Sequence, residues 1–114
     1  MKQTTTDELP YIADATDVLI SLPGIVISEI SLSPGQSVPW HYHSQVTDRF
    51  YALKGCTLIR HGTGDRVTLE PGESFTVPSG MPHQVEAVGD CPCRFLIIQG
   101  IGEYDFIPVE KAAG

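Results

Sequence analysis

The chain has 114 residues, 41% of them hydrophobic, with 14 acidic against 7 basic side chains and a net charge of −7. That length suits one domain with a core of its own. The seven cations, Lys2, Arg49, Lys54, Arg60, Arg66, Arg94 and Lys111, are scattered, which excludes a phosphate-tracking surface and hence nucleic acid as a partner.

The acidity is concentrated at the two ends and speaks for solubility rather than for a charged substrate. The most apolar stretch, 18–32, is interrupted by Pro23, Gly24 and Glu29, so neither a membrane span nor a signal peptide is expected. Cys56, Cys91 and Cys93 form no disulfide framework, and the Cys-x-Cys pair is too close for an unstrained bridge in a strand. A cytoplasmic protein is expected.

In chain order, residues 1–17 read as an N-terminal arm with at most one helical turn near 5–9. A single domain follows over 18–114, ending in a short tail. Turn signals recur at Pro23-Gly24, Pro34-Gly35, 62–65, Pro71-Gly72, 78–80 and Gly89-Asp90. Between them lie short runs rich in β-branched and aromatic residues, at 24–28, 48–53, 56–60, 66–69, 74–77 and 94–98. Such spacing predicts an all-β sandwich or barrel. After the last run, 100–106 reads as a tail that folds back, with Tyr104 and Phe106 packing across the barrel mouth or over a neighbour.

His41 and His43 flank Tyr42, and in a strand this spacing puts two imidazoles on one face, about 7 Å apart along the chain. Trp40 and Tyr42 then point the other way. His83 lies far along the chain, again a short distance after a Pro-Gly turn. His61 reads as a solvated residue at a hairpin end, outside this group.

Residues 35–55, carrying Gly35, His41, His43, Asp48 and Gly55, resemble the first motif of the cupin superfamily, G-x5-H-x-H-x3-4-E-x6-G. Residues 72–87, carrying Gly72, Pro78, Gly80 and His83, resemble the second, G-x5-P-x-G-x2-H-x3-N, with Ala87 in the Asn slot. The resemblance is to small single-domain cupins of the conserved-barrel type. It implies a double-stranded β-helix, the cupin jelly-roll barrel, with inward histidines holding one divalent transition metal (Fe, Mn, Ni, Co, Cu or Zn). Carried over residue by residue, the ligands are His41, His43 and His83, with Asp48 in the carboxylate slot.

Asp48 replaces a Glu and loses about 1.5 Å of reach. It therefore ligates directly if its strand leans inward, or else acts through water or from behind the ligands, with Gln45 as an alternative fourth ligand. Asp48 and Tyr51 are the catalytic candidates; Phe50, Gln45 and Arg94 are the substrate-binding candidates. The resemblance further implies a homodimer and a small-molecule substrate or ligand. Two functions stay open: a metalloenzyme with dioxygenase-type or lyase/isomerase-type chemistry, and a non-catalytic metal- or ligand-binding regulatory module.

Overall fold

Each of the short apolar runs alternates between a buried and a solvated face, the pattern of strands half-buried in a sheet. The computed structural model describes residues 11–109. The helical turn near 5–9 and most of the expected arm lie outside the described residues.

Within 11–109 the chain is all-β. The strands are β1 (Ala15–Leu22), β2 (Ile25–Leu32), β3 (Ser37–Tyr42), β4 (Thr47–Lys54) and β5 (Thr57–His61). They continue as β6 (Asp65–Leu69), β7 (Ser74–Val77), β8 (His83–Ala87), β9 (Cys93–Gly100) and β10 (Ile107–Pro108). Two five-stranded sheets result, ordered β1-β2-β9-β4-β7 and β10-β3-β8-β5-β6. From β2 onward the chain crosses repeatedly between them. This is the double-stranded β-helix expected from the sequence. No described helix is long and apolar enough to cross a membrane.

The core sits between the sheets, where Leu32, Phe50, Ile59, Val85 and Phe95 interdigitate. Phe50 and Phe95 pack with centroids 5.5 Å apart and planes tilted by 54°, a contact that adds to their buried area.

One boundary differs from the sequence reading. Residues 15–17, assigned to the arm, belong to β1, which pairs with β2 from Ala15↔Ser31 to Leu22↔Ile25. The apolar stretch 18–32 is thus part of one hairpin, bent at Pro23-Gly24. Asp17 reads as part of a polar arm, but its carboxylate is one of two that Arg94 reaches across the sheet, with Glu29 the other.

Two local features shape the inner face of the barrel. The β3–β8 register steps from Val38↔Val85 to His41↔His83, three residues against two. This is a bulge of one extra residue at Pro39-Trp40, where proline contributes no N–H to the ladder. Val38 and His41 both face inward because of it; unbroken alternation from Val38 would have turned His41 outward. Gly55, which ends the first motif, has φ +64° and lies so close to β9 that a Cβ would collide with the Pro92 carbonyl oxygen.

Candidate metal centre

Four buried side chains converge at one end of the barrel: His41 from the end of β3, His43 just beyond it, Asp48 near the start of β4, and His83 at the start of β8. β4 belongs to one sheet, β3 and β8 to the other, so the cluster joins the two sheets. The turn of the second motif helps to hold it, because the Gly80 N–H donates to the His43 carbonyl at 2.7 Å.

One donor atom from each of the four lies within 4.8 Å of all the others. His43 Nε2 is 2.9 Å and His83 Nε2 3.0 Å from Asp48 Oδ2, and His41 Nε2 is 3.2 Å from His43 Nε2. Two donors about 2.1 Å from one ion and at right angles to each other are about 3.0 Å apart, so the spacing suits neighbouring ligands of a single cation. The shorter reach of Asp48 is made up by its strand, which brings the carboxylate up to the imidazoles.

The protons are disposed for the same purpose. His41 Nδ1 meets the Pro39 carbonyl at 2.7 Å and His83 Nδ1 meets the Met81 carbonyl at 3.0 Å. His43 Nδ1 meets the carbonyl of Asp105, 62 residues away. A carbonyl only accepts, so all three Nδ1 atoms carry the proton, and in each neutral ring the lone pair sits on Nε2. Three inward lone pairs and a carboxylate oxygen repel one another unless a cation or a proton lies between them. Neutral imidazoles plus one carboxylate are the donors that divalent transition metals take. The residues fit such an ion.

Without an ion, the site favours a proton between His43 and Asp48 in place of the cation. Burial, with the neighbouring His83, pushes His41 down to about 3, which keeps it neutral. Burial opposes a charge on His43 as well, but the hydrogen bond and charge of Asp48 outweigh it and raise its value. Burial also works against the Asp48 carboxylate, yet interaction with the His43 and His83 imidazoles facing it holds it at about 2.

Three of the four, His41, Asp48 and His83, form part of the wall of a cavity of about 370 Å³ whose lining is largely aliphatic and aromatic. Phe50 lines it, with its ring edge-on to His83 at 6.1 Å. Phe106 stacks on His41 at 4.1 Å and 11°, and Tyr104 lies 5.2 Å from His43. The tail therefore does cross the barrel mouth, tied down by β10 pairing with β3. Two participants escape the sequence reading. Gln99 donates to Asp48 Oδ1 at 3.2 Å and so holds the carboxylate with Oδ2 toward the histidines. Asp105 supplies the His43 anchor, and its carboxylate takes hydrogen bonds from the Ser44 N–H and hydroxyl. For Gln99 a signal existed: it has the inward parity of Phe95 and Ile97 at the end of β9. Asp105 acts through its main chain, which leaves no mark in the sequence.

Three other candidates lie elsewhere. Gln45 is exposed in the loop before β4. Tyr51 lies on the outer face of β4, opposite in parity to Asp48 and Phe50, and accepts a 3.4 Å hydrogen bond from Arg49. Arg94, outward on β9, is bound by Glu29 at 2.7 Å and Asp17 at 2.8 Å. Strand alternation keeps Tyr51 and Arg94 out of the cavity. His61 is half-buried rather than solvated, its ring 4.8 Å from Phe75.

Comparison with known proteins bears directly on this arrangement. A family model described as Cupin domain matches residues 28–99, which include all four clustered residues. The chain belongs to the cupin family. Over 68 residues this cupin is 35% identical to the tetracenomycin polyketide synthase protein TcmJ of Streptomyces glaucescens, an alignment covering 60% of the chain but 45% of TcmJ. The chain thus spans less than half the length of that relative. Among solved structures, a double-stranded β-helix protein of Klebsiella pneumoniae superposes with a TM-score of 0.76 at 21% identity, covering 97% of this cupin and 99% of that chain. An oxalate oxidase superposes at 0.67 with 20% identity, over 75% of this cupin and 46% of that chain. At such identities the two structures speak for the fold alone.

Proposed function

We propose that this cupin is a metal-dependent enzyme acting on a small organic molecule, with one divalent transition-metal ion per chain held by His41, His43, His83 and, directly, Asp48. The observation that carries the reading is the set of three Nδ1–H bonds to main-chain carbonyls, which leaves three Nε2 lone pairs and Asp48 Oδ2 aimed at one point in a cavity wall. When bound, such an ion supplies Lewis acidity toward a substrate oxygen or, if redox-active, oxidative chemistry. The chain's own groups orient and exclude. Main-chain anchors fix the three rings, Gln99 fixes the carboxylate, Phe50 packs beside the donors, and Tyr104 and Phe106 shield them from bulk water. The likeness to a polyketide synthase protein supports a small organic substrate, with dioxygenase-type or lyase/isomerase-type turnover.

A second reading, a module that holds metal or ligand without turnover, is favoured by one feature of the lining. Apart from the clustered donors, its titratable groups are Tyr11 and Tyr104. Burial, aided by the charge of Asp48, pushes Tyr11 up to about 12; burial, aided by Tyr11 and Asp48, raises Tyr104 as well. Neither is a base near neutral pH.

Elemental analysis of untagged protein tests the metal reading. About one transition-metal ion per chain is expected, falling to background in His41→Ala/His43→Ala; equal metal in both proteins would end it. Oxygen-uptake and substrate screens of the Fe(II)-loaded protein then separate enzyme from binder. The reading also includes a cytoplasmic homodimer, supported by Leu19, Ile20 and Leu22, which are exposed on the edge strand β1. Light scattering tests the dimer.

A further inference from the structure

We infer that the molecule accepted by this site is a ring-bodied, largely apolar compound whose oxygen-bearing head carries at most one negative charge, in preference to a small dianion. The part concerning the head rests on the proposed metal centre; the part concerning the body rests on the cavity alone.

The body follows from size and lining. A cavity of about 370 Å³ lies within the range of sites that enclose whole organic ligands, about 300–1,000 Å³. Ile30, Val38, Phe50, Val85, Phe95 and Ile97 form much of its wall, and they come from both sheets. A two-carbon dianion would leave most of that wall without contact, whereas a fused or substituted ring would cover it.

The head follows from charge. None of the five described cations lines the cavity. Arg60 is paired with Glu86 and Arg94 with Asp17 and Glu29, while Arg49, Lys54 and Arg66 are exposed. Among the described residues Asp48 is the one carboxylate in the lining. A divalent ion beside that single negative charge leaves one positive charge, which one anionic oxygen neutralises. Away from the ion a second negative charge would meet no cation, only the hydroxyls of Thr16, Ser21 and Ser28 among aliphatic and aromatic groups, a costly placement. A phenol, an enol or a ring-borne monocarboxylate satisfies both conditions.

The test uses the full chain, metal-free and Zn(II)-loaded, with four probes: 2-naphthol, 2-naphthoate, acetate and naphthalene-2,6-dicarboxylate. Calorimetry gives affinities, and methyl NMR locates binding without any substitution that endangers the fold. Naphthol is expected to bind the metal-free protein and to shift the methyls of Ile30, Val38, Val85 and Ile97. In the zinc form 2-naphthoate is expected to bind at least about tenfold more tightly than acetate, which lacks the body, and than the dicarboxylate, which adds a charge. If zinc is taken up but 2-naphthoate binds no better than either, the inference is overturned. Absence of any naphthol shift in both forms overturns it too. Failure to take up zinc, with naphthol still shifting the same methyls, would overturn the metal centre and the statement about the head, while upholding the apolar body.

Discussion

His83 and His61 face each other across β8 and β5, yet only His83 joins the convergent donors. His83 is 1% exposed, donates from Nδ1 to the Met81 carbonyl and points Nε2 at Asp48. His61 closes β5 half-buried, with its ring against Phe75. The two share a residue type and a register; they differ in their neighbours. A main-chain carbonyl placed to fix the tautomer, and a carboxylate facing the free nitrogen, turn an inward imidazole into a ligand candidate. Position in a barrel strand alone does not.

The widest separation between these two histidines is expected in metal binding. His83→Ala should lower affinity by at least about 100-fold, while His61→Ala leaves it unchanged, read by calorimetry and metal content. Equal losses in the two variants would erase the contrast. Next comes stability. At a free ion concentration about 100 times Kd, metal should stabilise the fold by about 2.7 kcal/mol, raising Tm by several degrees. That shift should persist in His61→Ala and vanish in His83→Ala.

The carboxylate side of the contrast is sharpened by Gln99→Leu, which removes the donor to Asp48 Oδ1 and should weaken metal binding by about tenfold. Without metal, acid should destabilise the fold. His41 is held down to about 3 when folded but sits near 6.5 when unfolded, so the unfolded chain binds more protons between those values. Stability should therefore fall as pH drops below 6.5, and Asp48, held at about 2 against 3.8, adds to the loss lower down. Urea titrations that show no change between pH 6.5 and 4 would contradict a buried neutral His41. His61→Ala should leave this acid limb in place and cost the least stability of all, about 1 kcal/mol or less.

Much of the site was legible because its parts lie in two compact stretches. The His-x-His pair, Asp48, Gly55, the turn at 78–80 and His83 all fall within residues 35–87, and family resemblance assigned each a place. Phe50 has the parity of Asp48 on β4 and lines the cavity with it. For Arg94 and Tyr51 the residue type suits binding, but the strand face that carries each points away from the cavity. Gln45 stands apart for a different reason: it lies past the end of β3 in a loop, where period two no longer holds. Residues 15–17 join β1 although Asp17 is charged, because on an outer face the carboxylate stays solvated and meets Arg94.

Alternation and turn chemistry are local, so the residues by themselves determined an all-β chain, its hairpin at Pro23-Gly24 and the faces of most strands. The tertiary structure alone decided that a bulge at Pro39-Trp40 turns His41 inward, and that Gln99 backs Asp48. It also decided that a carbonyl 62 residues away fixes the tautomer of His43. Each of these depends on which strand lies alongside which. Hydrogen bonds to a main-chain carbonyl can be made by nearly any residue, so the pattern of side chains does not record them.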